Sequence, residues 1–277
     1  MSAPAIPTRV AIALRTDHYF RGHLIFAELA GHESLTGLIA LAVSGRRLDA
    51  AACAILDDLA VVTSVADPRI WPLKISRILA SYGSVVVGCF GASLCLEGML
   101  LGPWSGALAA SVLSDIASDL GPWAGDEDAV REAVRKRLAR DNRLPGFGVP
   151  LRDADERLVA LRACVKRRGR DGLRYWTLME TVVRVVRELQ GVEPNINMGV
   201  AAATLDAGFA PDEIGPLMVC LPQPMFMANA FEGAQQKSAF LRDMPREHVR
   251  YVGAPPRRSP RALAQADART APRPADR

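Results

Sequence analysis

The side chains that could bind a metal ion or act as nucleophiles lie apart in the sequence. His18, His23 and His32 stand at spacings of five and nine without a paired cysteine or carboxylate, which makes a poor metal site. The five cysteines are scattered and form no C-x-x-C pair, which argues against zinc and against a disulfide framework. Ser105 lies in G-P-W-S-G rather than in the G-x-S-x-G turn of serine hydrolases. We therefore expect no metal and no serine-hydrolase chemistry.

Four carboxylates lie on or near glycine- and proline-rich segments: Asp67, Asp153, Asp155 and Glu232. A carboxylate buried beside an apolar wall has a raised pKa and can act as a base. A helix cap or a solvated charge is the simpler interpretation of each. Both interpretations stay open at the level of sequence.

Composition indicates a globular protein. The 277 residues are 49% apolar and 6% aromatic, enough to bury a full core. The net charge is +4, but residues 254–277 hold six arginines against two aspartates, so the rest of the chain is close to neutral and no nucleic-acid partner is expected. This Pro-, Ala- and Arg-rich tail is predicted to be disordered. Unpaired cysteines and an N-terminus without a secretory signal favour a cytoplasmic location.

Residues 78–96 contain no formal charge, and a stretch of this length can cross a bilayer. Three glycines and three serines interrupt it, and Glu97 follows at once. This composition is typical of a helix buried in a packed protein. We predict a buried helix and no membrane span.

Apolar residues at three- and four-residue spacing predict an all-α protein with about ten helical segments. No stretch shows clean strand alternation over more than about five residues. The main helices are predicted at residues 26–43, 49–65, 78–96, 105–120, 126–140, 155–168, 177–189, 198–206 and 212–232.

Six short motifs follow one another in a familiar order: YFRGHLIFAELAG (19–31), ADP (66–68) with Arg77 and Ser81 after it, GPWSG (102–106), LPGFG (144–148) after a charged helix, EPNINMG (193–199) and RYVG (250–253). Each motif alone is weak, because glycine and proline are common in turns. Together, over residues 10–253, they resemble the citrate synthase and citryl-CoA lyase superfamily.

The resemblance implies a large helical domain, at about 1–117 and 195–253, and a smaller helical domain, at about 118–194, that closes over the substrate. It implies a CoA thioester as substrate, with no tightly bound cofactor. It also implies a homodimer, with apolar helices such as 78–96 and 198–206 at the subunit contact.

The catalytic positions of the family are substituted in this chain. The resemblance places Ser105 where relatives have the histidine that polarises the thioester carbonyl, Asn197 where they have the aspartate that moves the α-proton, and Val149 where they have a second histidine. Pro68 replaces a substrate-binding histidine. Ser105 and Asn197 can still donate hydrogen bonds, but neither Asn197 nor Val149 can exchange a proton near neutral pH.

Other parts of the site are retained according to the same resemblance. Arg157 and Arg77 match arginines of the substrate site, whereas Asn229 stands where relatives have a second carboxylate-binding arginine. The loop formed by Pro145, Gly146, Phe147 and Gly148 matches the segment that holds the adenine end of CoA. The alternative is that these glycines only form a turn between helices.

Two functions follow from this pattern. The first is a Claisen-type enzyme that makes or cleaves a C–C bond beside a CoA thioester with a non-standard active site. The second is a catalytically inactive homologue that binds CoA esters or pairs with an active subunit.

Overall fold

The computed structural model describes residues 6–96, 102–121, 125–149, 153–236, 246–248, 250–253 and 259. The chain forms two compact units, Met1–Ser238 and Ala239–Arg277. The second unit contributes a short 3₁₀ helix, Arg246–His248, and the exposed residues 250–253. The predicted disordered tail, 254–277, lies outside the described residues except for Ser259.

The first unit is helical except at its N-terminal end. Three short antiparallel strands, β1 (Ala11–Ala13), β2 (His18–Phe20) and β3 (His23–Leu24), form a sheet in that order. In the described residues the α-helices are α1 (Leu35–Ser44), α2 (Ala50–Thr63), α3 (Trp71–Ser81), α4 (Val85–Phe90), α5 (Pro103–Leu120), α6 (Glu127–Asp141), α7 (Glu156–Arg167), α8 (Arg174–Gln190), α9 (Ile196–Asp206), α10 (Pro211–Cys220) and α11 (Gln223–Ala234). The prediction of an all-α architecture is confirmed.

The helix α9 lies at the centre of the main core. From Met198 to Leu205 every residue is buried, and helices α5, α7, α8 and α10 pack around it. Small side chains permit this close packing, since a Cβ atom at Gly199 would lie 2.6 Å from Leu158 Cδ1 on α7. The predicted subunit contact through residues 198–206 is therefore wrong for this helix, because its side chains are already covered within the chain.

One apolar core runs from Ala40 to Leu221 and includes residues of both predicted domains. A second, smaller core joins α3 and α11 through Leu73 and Phe226. The division into a large and a small domain stays a prediction.

Three predicted helices are interrupted. The segment 26–43 contains a π-helix, Ile25–Leu29, a turn with Gly31 at φ +80°, and then α1. The segment 78–96 contains the end of α3, Gly83 at φ +88°, α4 and a 3₁₀ helix, Gly91–Leu96. The segment 212–232 divides into α10 and α11 at Leu221 and Pro222.

The prediction that residues 78–96 are buried is wrong for one face of this segment. Val86, Val87, Phe90 and Leu94 are all more than half exposed in the single chain. In the part of the chain that the structure describes, no helix combines the length and the hydropathy that a membrane crossing needs.

Candidate functional site

The candidate site is built at the N-terminal end of α9. Asn195 caps this helix, since its side-chain oxygen accepts a hydrogen bond of 3.0 Å from the backbone N–H of Asn197. The backbone N–H of the preceding residue, Ile196, donates at 2.9 Å to a carboxylate oxygen of Asp155. Two side chains thus satisfy backbone donors that a helix start leaves open.

The predicted CoA loop pairs directly with the segment that leads into α9. The backbone N–H of Gly148 donates to the carbonyl of Glu193, and that of Asn195 donates to the carbonyl of Gly146, both at 2.8 Å. The side-chain amide of Asn195 also reaches the Gly148 carbonyl at 3.2 Å. The loop is therefore held at this end of α9, and half-buried Val149 follows it directly.

Close packing explains the glycine at position 146. Its backbone has φ +85°, and a Cβ atom there would lie 2.5 Å from Cγ of buried Met198 and 3.3 Å from the Ala109 methyl group. The loop backbone therefore rests directly on α9 and α5. This contact favours the interpretation that Gly146 is a structural turn residue. Gly148 differs, because at φ +98° it has open space where a Cβ atom would lie.

The first turn of α5 brings Ser105 to the same place. This helix starts at Pro103, after Gly102 at φ +95°, and Gly102 provides no capping side chain. A Cβ atom at Gly106 would lie 3.8 Å from Oδ1 of Asn197, so the starts of α5 and α9 meet. Ser105 and Asn197 are both half-buried. The side-chain amide of Asn197 makes no hydrogen bond with the described residues, so its donors are free for a ligand.

Arg157 lies beside this cluster, held by a carboxylate. Its Nε and Nη2 atoms donate to the two oxygens of Asp155 at 2.9 and 2.7 Å. The Asp155 side chain is 3% exposed and also caps α7. Burial alone would raise the pKa of Asp155, but the hydrogen bonds from Arg157 and from the Ile196 N–H outweigh it and hold the pKa below 3.8. Asp155 is thus a cap and an anchor for Arg157, and at neutral pH it is a weak base.

Arg77 and Asn229 form a second cluster, between α3 and α11. Nη1 of Arg77 donates to Oδ1 of Asn229 at 3.2 Å and to Oε2 of Glu232 at 2.8 Å. The Asn229 amide nitrogen donates to the carbonyls of Ala66 and Met225. Asn229 is buried and uses both of its side-chain polar atoms within the chain. Its predicted role in binding substrate stays a prediction, and the visible role is to tie the loop before α3 to α11.

The remaining carboxylates are solvated or paired with arginines, which favours the interpretation as surface charges over that as a buried base. Hydrogen bonds from Arg69 lower the pKa of Asp67 to about 2. The Arg77 guanidinium likewise lowers the pKa of Glu232. Asp153 is exposed. Among the described residues, no group of three or more His, Cys, Asp or Glu side chains is arranged to hold a metal ion.

Asn195 and Glu193 were missed as parts of the site. Asn195 links the loop to α9, and Glu193 accepts two hydrogen bonds from Arg187 at 2.7 and 2.6 Å while its carbonyl receives the Gly148 N–H. An asparagine directly before an apolar helical stretch is a common N-cap signal, so Asn195 could have been found from the sequence.

The assembled site can donate hydrogen bonds, but in its described part it offers no neutral-pH base. The available donors are the side-chain amide of Asn197 and the nitrogen of Arg157 that Asp155 does not use, whereas Ser105 already has a partner. The described histidines belong to the N-terminal segment and to the second unit. The arrangement can therefore hold and polarise a carbonyl oxygen, but its described residues supply no group that transfers a proton at neutral pH.

No family model and no curated protein matches the sequence. Solved structures do match. A citryl-CoA lyase from Hydrogenobacter thermophilus aligns with TM-score 0.78 and 20% identity, over 94% of this chain and 100% of the lyase. An ATP citrate lyase from Methanothrix soehngenii, solved with citrate and coenzyme A, aligns with TM-score 0.70 and 14% identity over 92% of this chain.

A citrate synthase from Thermotoga maritima aligns with TM-score 0.53 and 17% identity over 79% of this chain. The alignments span 43% of the ATP citrate lyase chain and 57% of the citrate synthase chain, whereas the citryl-CoA lyase is matched over its whole length. The chain therefore has the helical fold that citryl-CoA lyase shares with citrate synthase.

Proposed function

We propose that the protein acts on a CoA thioester and makes or cleaves a C–C bond beside the thioester carbonyl, in a Claisen-type reaction. The observation that carries this proposal is the meeting of four parts at the start of α9: the loop 145–148, Ser105, Asn197 and Arg157. The fold adds support, because the citryl-CoA lyase is matched over its whole length by 94% of this chain.

The chemistry assigns a role to each side chain. The thioester oxygen gains negative charge when the enolate forms, and the side-chain amide of Asn197 is the donor that the described residues leave available to it. Arg157 would hold a carboxylate of the partner acid with the nitrogen that Asp155 does not use. The Gly148 backbone, open on its Cβ side, would allow a nucleotide to approach the loop closely.

Turnover should be slow by the standards of such enzymes. A positioned acid or base contributes typically about 10² to 10⁴ in rate, and Asn197 and Val149 cannot supply one. We further propose that the protein is a cytoplasmic homodimer, in which the exposed face of residues 86–94 forms the subunit contact.

A specific observation favours the second function, a catalytically inactive homologue that binds CoA esters or pairs with an active subunit. Both predicted substrate arginines already contact carboxylates of the same chain, Arg157 with Asp155 and Arg77 with Glu232. A partner acid would have to compete with these contacts. Binding of a CoA ester without catalysis needs only the loop 145–148 and the hydrogen-bond donors beside it.

The deciding experiment combines calorimetry with CoA and acetyl-CoA and a cleavage assay on citryl-CoA and other 3-hydroxy-3-carboxyacyl-CoA esters. We expect CoA binding, slow release of a shorter acyl-CoA, and a rate about 10- to 100-fold lower in Asn197→Ala. Ser111→Ala, two turns further along α5, is the control and should leave the rate unchanged. CoA binding without any cleavage would select the inactive homologue. Absence of both would overturn the enzyme and the CoA-binding homologue and would leave only a structural role or pairing with an active subunit.

A further inference from the structure

A pocket lined by charged side chains lies at the end of α9 opposite to Asn197. It has a volume of about 420 Å³ and lies among the residues that follow α1, the start of α2 and the residues that follow α9. Its charged lining residues are Arg46, Arg47, Arg170, Asp49 and Asp206, three positive against two negative. Helix α9 has 11 residues, so its two ends are about 16 Å apart, with Asn197 near one end and the pocket at the other.

Each of the three guanidinium groups has unused donors. Arg46 donates through Nη2 to the Gly208 carbonyl at 2.6 Å and to Glu213 at 2.8 Å, and Arg47 donates through Nε to Glu33 at 2.9 Å. Arg170 makes one long contact, 3.4 Å from Nη2 to the Asp206 carbonyl. Within the described residues the other nitrogens of these groups have no hydrogen-bond partner. Arginine nitrogens of this kind bind phosphate or carboxylate oxygens in pairs.

The two carboxylates of the pocket are engaged elsewhere. Asp49 accepts the backbone N–H of Ala52 at 2.7 Å and caps α2. Asp206 accepts the N–H groups of Tyr175 and Trp176 at 2.9 and 2.8 Å, at the start of α8. Burial raises the pKa of Asp206, although the two backbone hydrogen bonds oppose this effect. Asp206 uses both of its oxygens at the start of α8, and Asp49 uses Oδ1 at the start of α2. Among the described residues, neither carboxylate forms an ion pair with an arginine of the pocket.

We propose that this pocket binds a small molecule with two or more anionic groups, as a site separate from the one at the start of α9. Its volume suits a small organic ligand. The three guanidinium groups come from two distant parts of the chain and can contact different anionic groups of one ligand. Phosphate and carboxylate share this chemistry, and the experiment separates them.

The test is calorimetry on the full chain with pyrophosphate and with tricarballylate, at constant ionic strength. We expect saturable binding of one of the two, weakened about tenfold or more in Arg170→Gln. Arg170 suits this purpose because its own contact within the chain is long, so the variant should fold. Arg135→Gln on α6 is the matched control, since Arg135 is an exposed arginine outside the pocket.

Stronger binding of pyrophosphate assigns the pocket to phosphate ligands, and stronger binding of tricarballylate assigns it to polycarboxylates. Arg47→Gln is the second variant and should weaken the same ligand while circular dichroism shows an intact fold. Equal weakening by Arg135→Gln and Arg170→Gln would mean unspecific attraction and would overturn the proposal. Lack of saturable binding of both anions would overturn it as well.

Discussion

Gly146 and Gly148 share a left-handed backbone conformation but differ in their surroundings. At Gly146 an added methyl group would meet buried Met198, whereas at Gly148 nothing lies within 4 Å. We expect Gly148→Ala to cost about 1–2 kcal/mol of unfolding free energy from backbone strain alone. Gly146→Ala should cost about 1–3 kcal/mol more, because the core must shift. Urea unfolding of the pair measures the difference, and equal losses would contradict the packing role of Gly146.

The same two variants separate folding from ligand binding. Gly148 borders open space where the nucleotide is proposed to lie. We therefore expect Gly148→Ala to lower the affinity for CoA while the protein stays folded. Calorimetry with CoA checks this, with Gly125→Ala as a control at an exposed glycine outside the loop. Unchanged affinity in Gly148→Ala would place the nucleotide elsewhere.

Part of the candidate site could be predicted residue by residue. The motif order placed Ser105 and Asn197 in one site, and the structure brings their helices together, although their roles stay predictions. The family resemblance suggested Arg157 but not that Asp155 holds it through two hydrogen bonds. No sequence signal indicated the pocket around Arg170, because the arginines that line it with Arg170, at positions 46 and 47, lie more than a hundred residues earlier.

At the scale of elements, helix caps differ in what they hold together. Asp126 is an exposed cap that serves α6 alone, whereas buried Asp155 caps α7, binds Ile196 at the start of α9 and pairs with Arg157. We expect Asp126→Ala to cost about 1 kcal/mol. Asp155→Ala should cost about 2–4 kcal/mol, because it removes the cap of α7 and leaves the buried N–H of Ile196 without its acceptor. Chemical denaturation of the two variants tests this, and similar losses would show that Asp155 acts only as a local cap.

Because its pKa is lowered in the folded state, Asp155 contributes to folding stability in a way that depends on pH. The carboxylate is stabilised in the folded state, so its contribution is fully present above the unfolded pKa of about 4 and is lost as the pH falls through the lower folded value. The wild type should therefore lose stability at acid pH more steeply than Asp155→Asn. Denaturation midpoints between about pH 2 and pH 7 measure the two slopes, and parallel curves would exclude this linkage.

Residue types at the ends of helices predicted those ends better than they predicted interruptions inside a helical stretch. Gly45 ends α1 at φ +72°, and Asp49 and Asp126 cap α2 and α6, as expected from their residue types. The breaks at Gly31 and Gly83 were missed because apolar spacing continues on both sides of each turn. Spacing reports which side chains are buried, whereas a break depends on tertiary packing of the two parts.

At the scale of the whole molecule, the exposed apolar face of residues 86–94 supports the proposed homodimer. Val86, Phe90 and Leu94 lie on α4 and the 3₁₀ helix after it, and are 73%, 54% and 68% exposed. Patches of this kind mark protein contacts. We expect a dimer by light scattering and a monomer after Phe90→Asp. Val61→Asp, at an exposed valine of α2, is the control and should stay dimeric. A monomeric wild type would contradict the prediction.

The complete enclosure of α9 has a consequence for the kinetics of amide hydrogen exchange. Residues 198–205 are all buried in the chain, so we expect deuterium to reach their amides only when the surrounding helices separate. Mass spectrometry should find α9 among the slowest segments and exposed, charged α6 much faster; comparable rates would contradict this. The deuterium uptake of α9 would then report the free energy at which the whole helical unit opens.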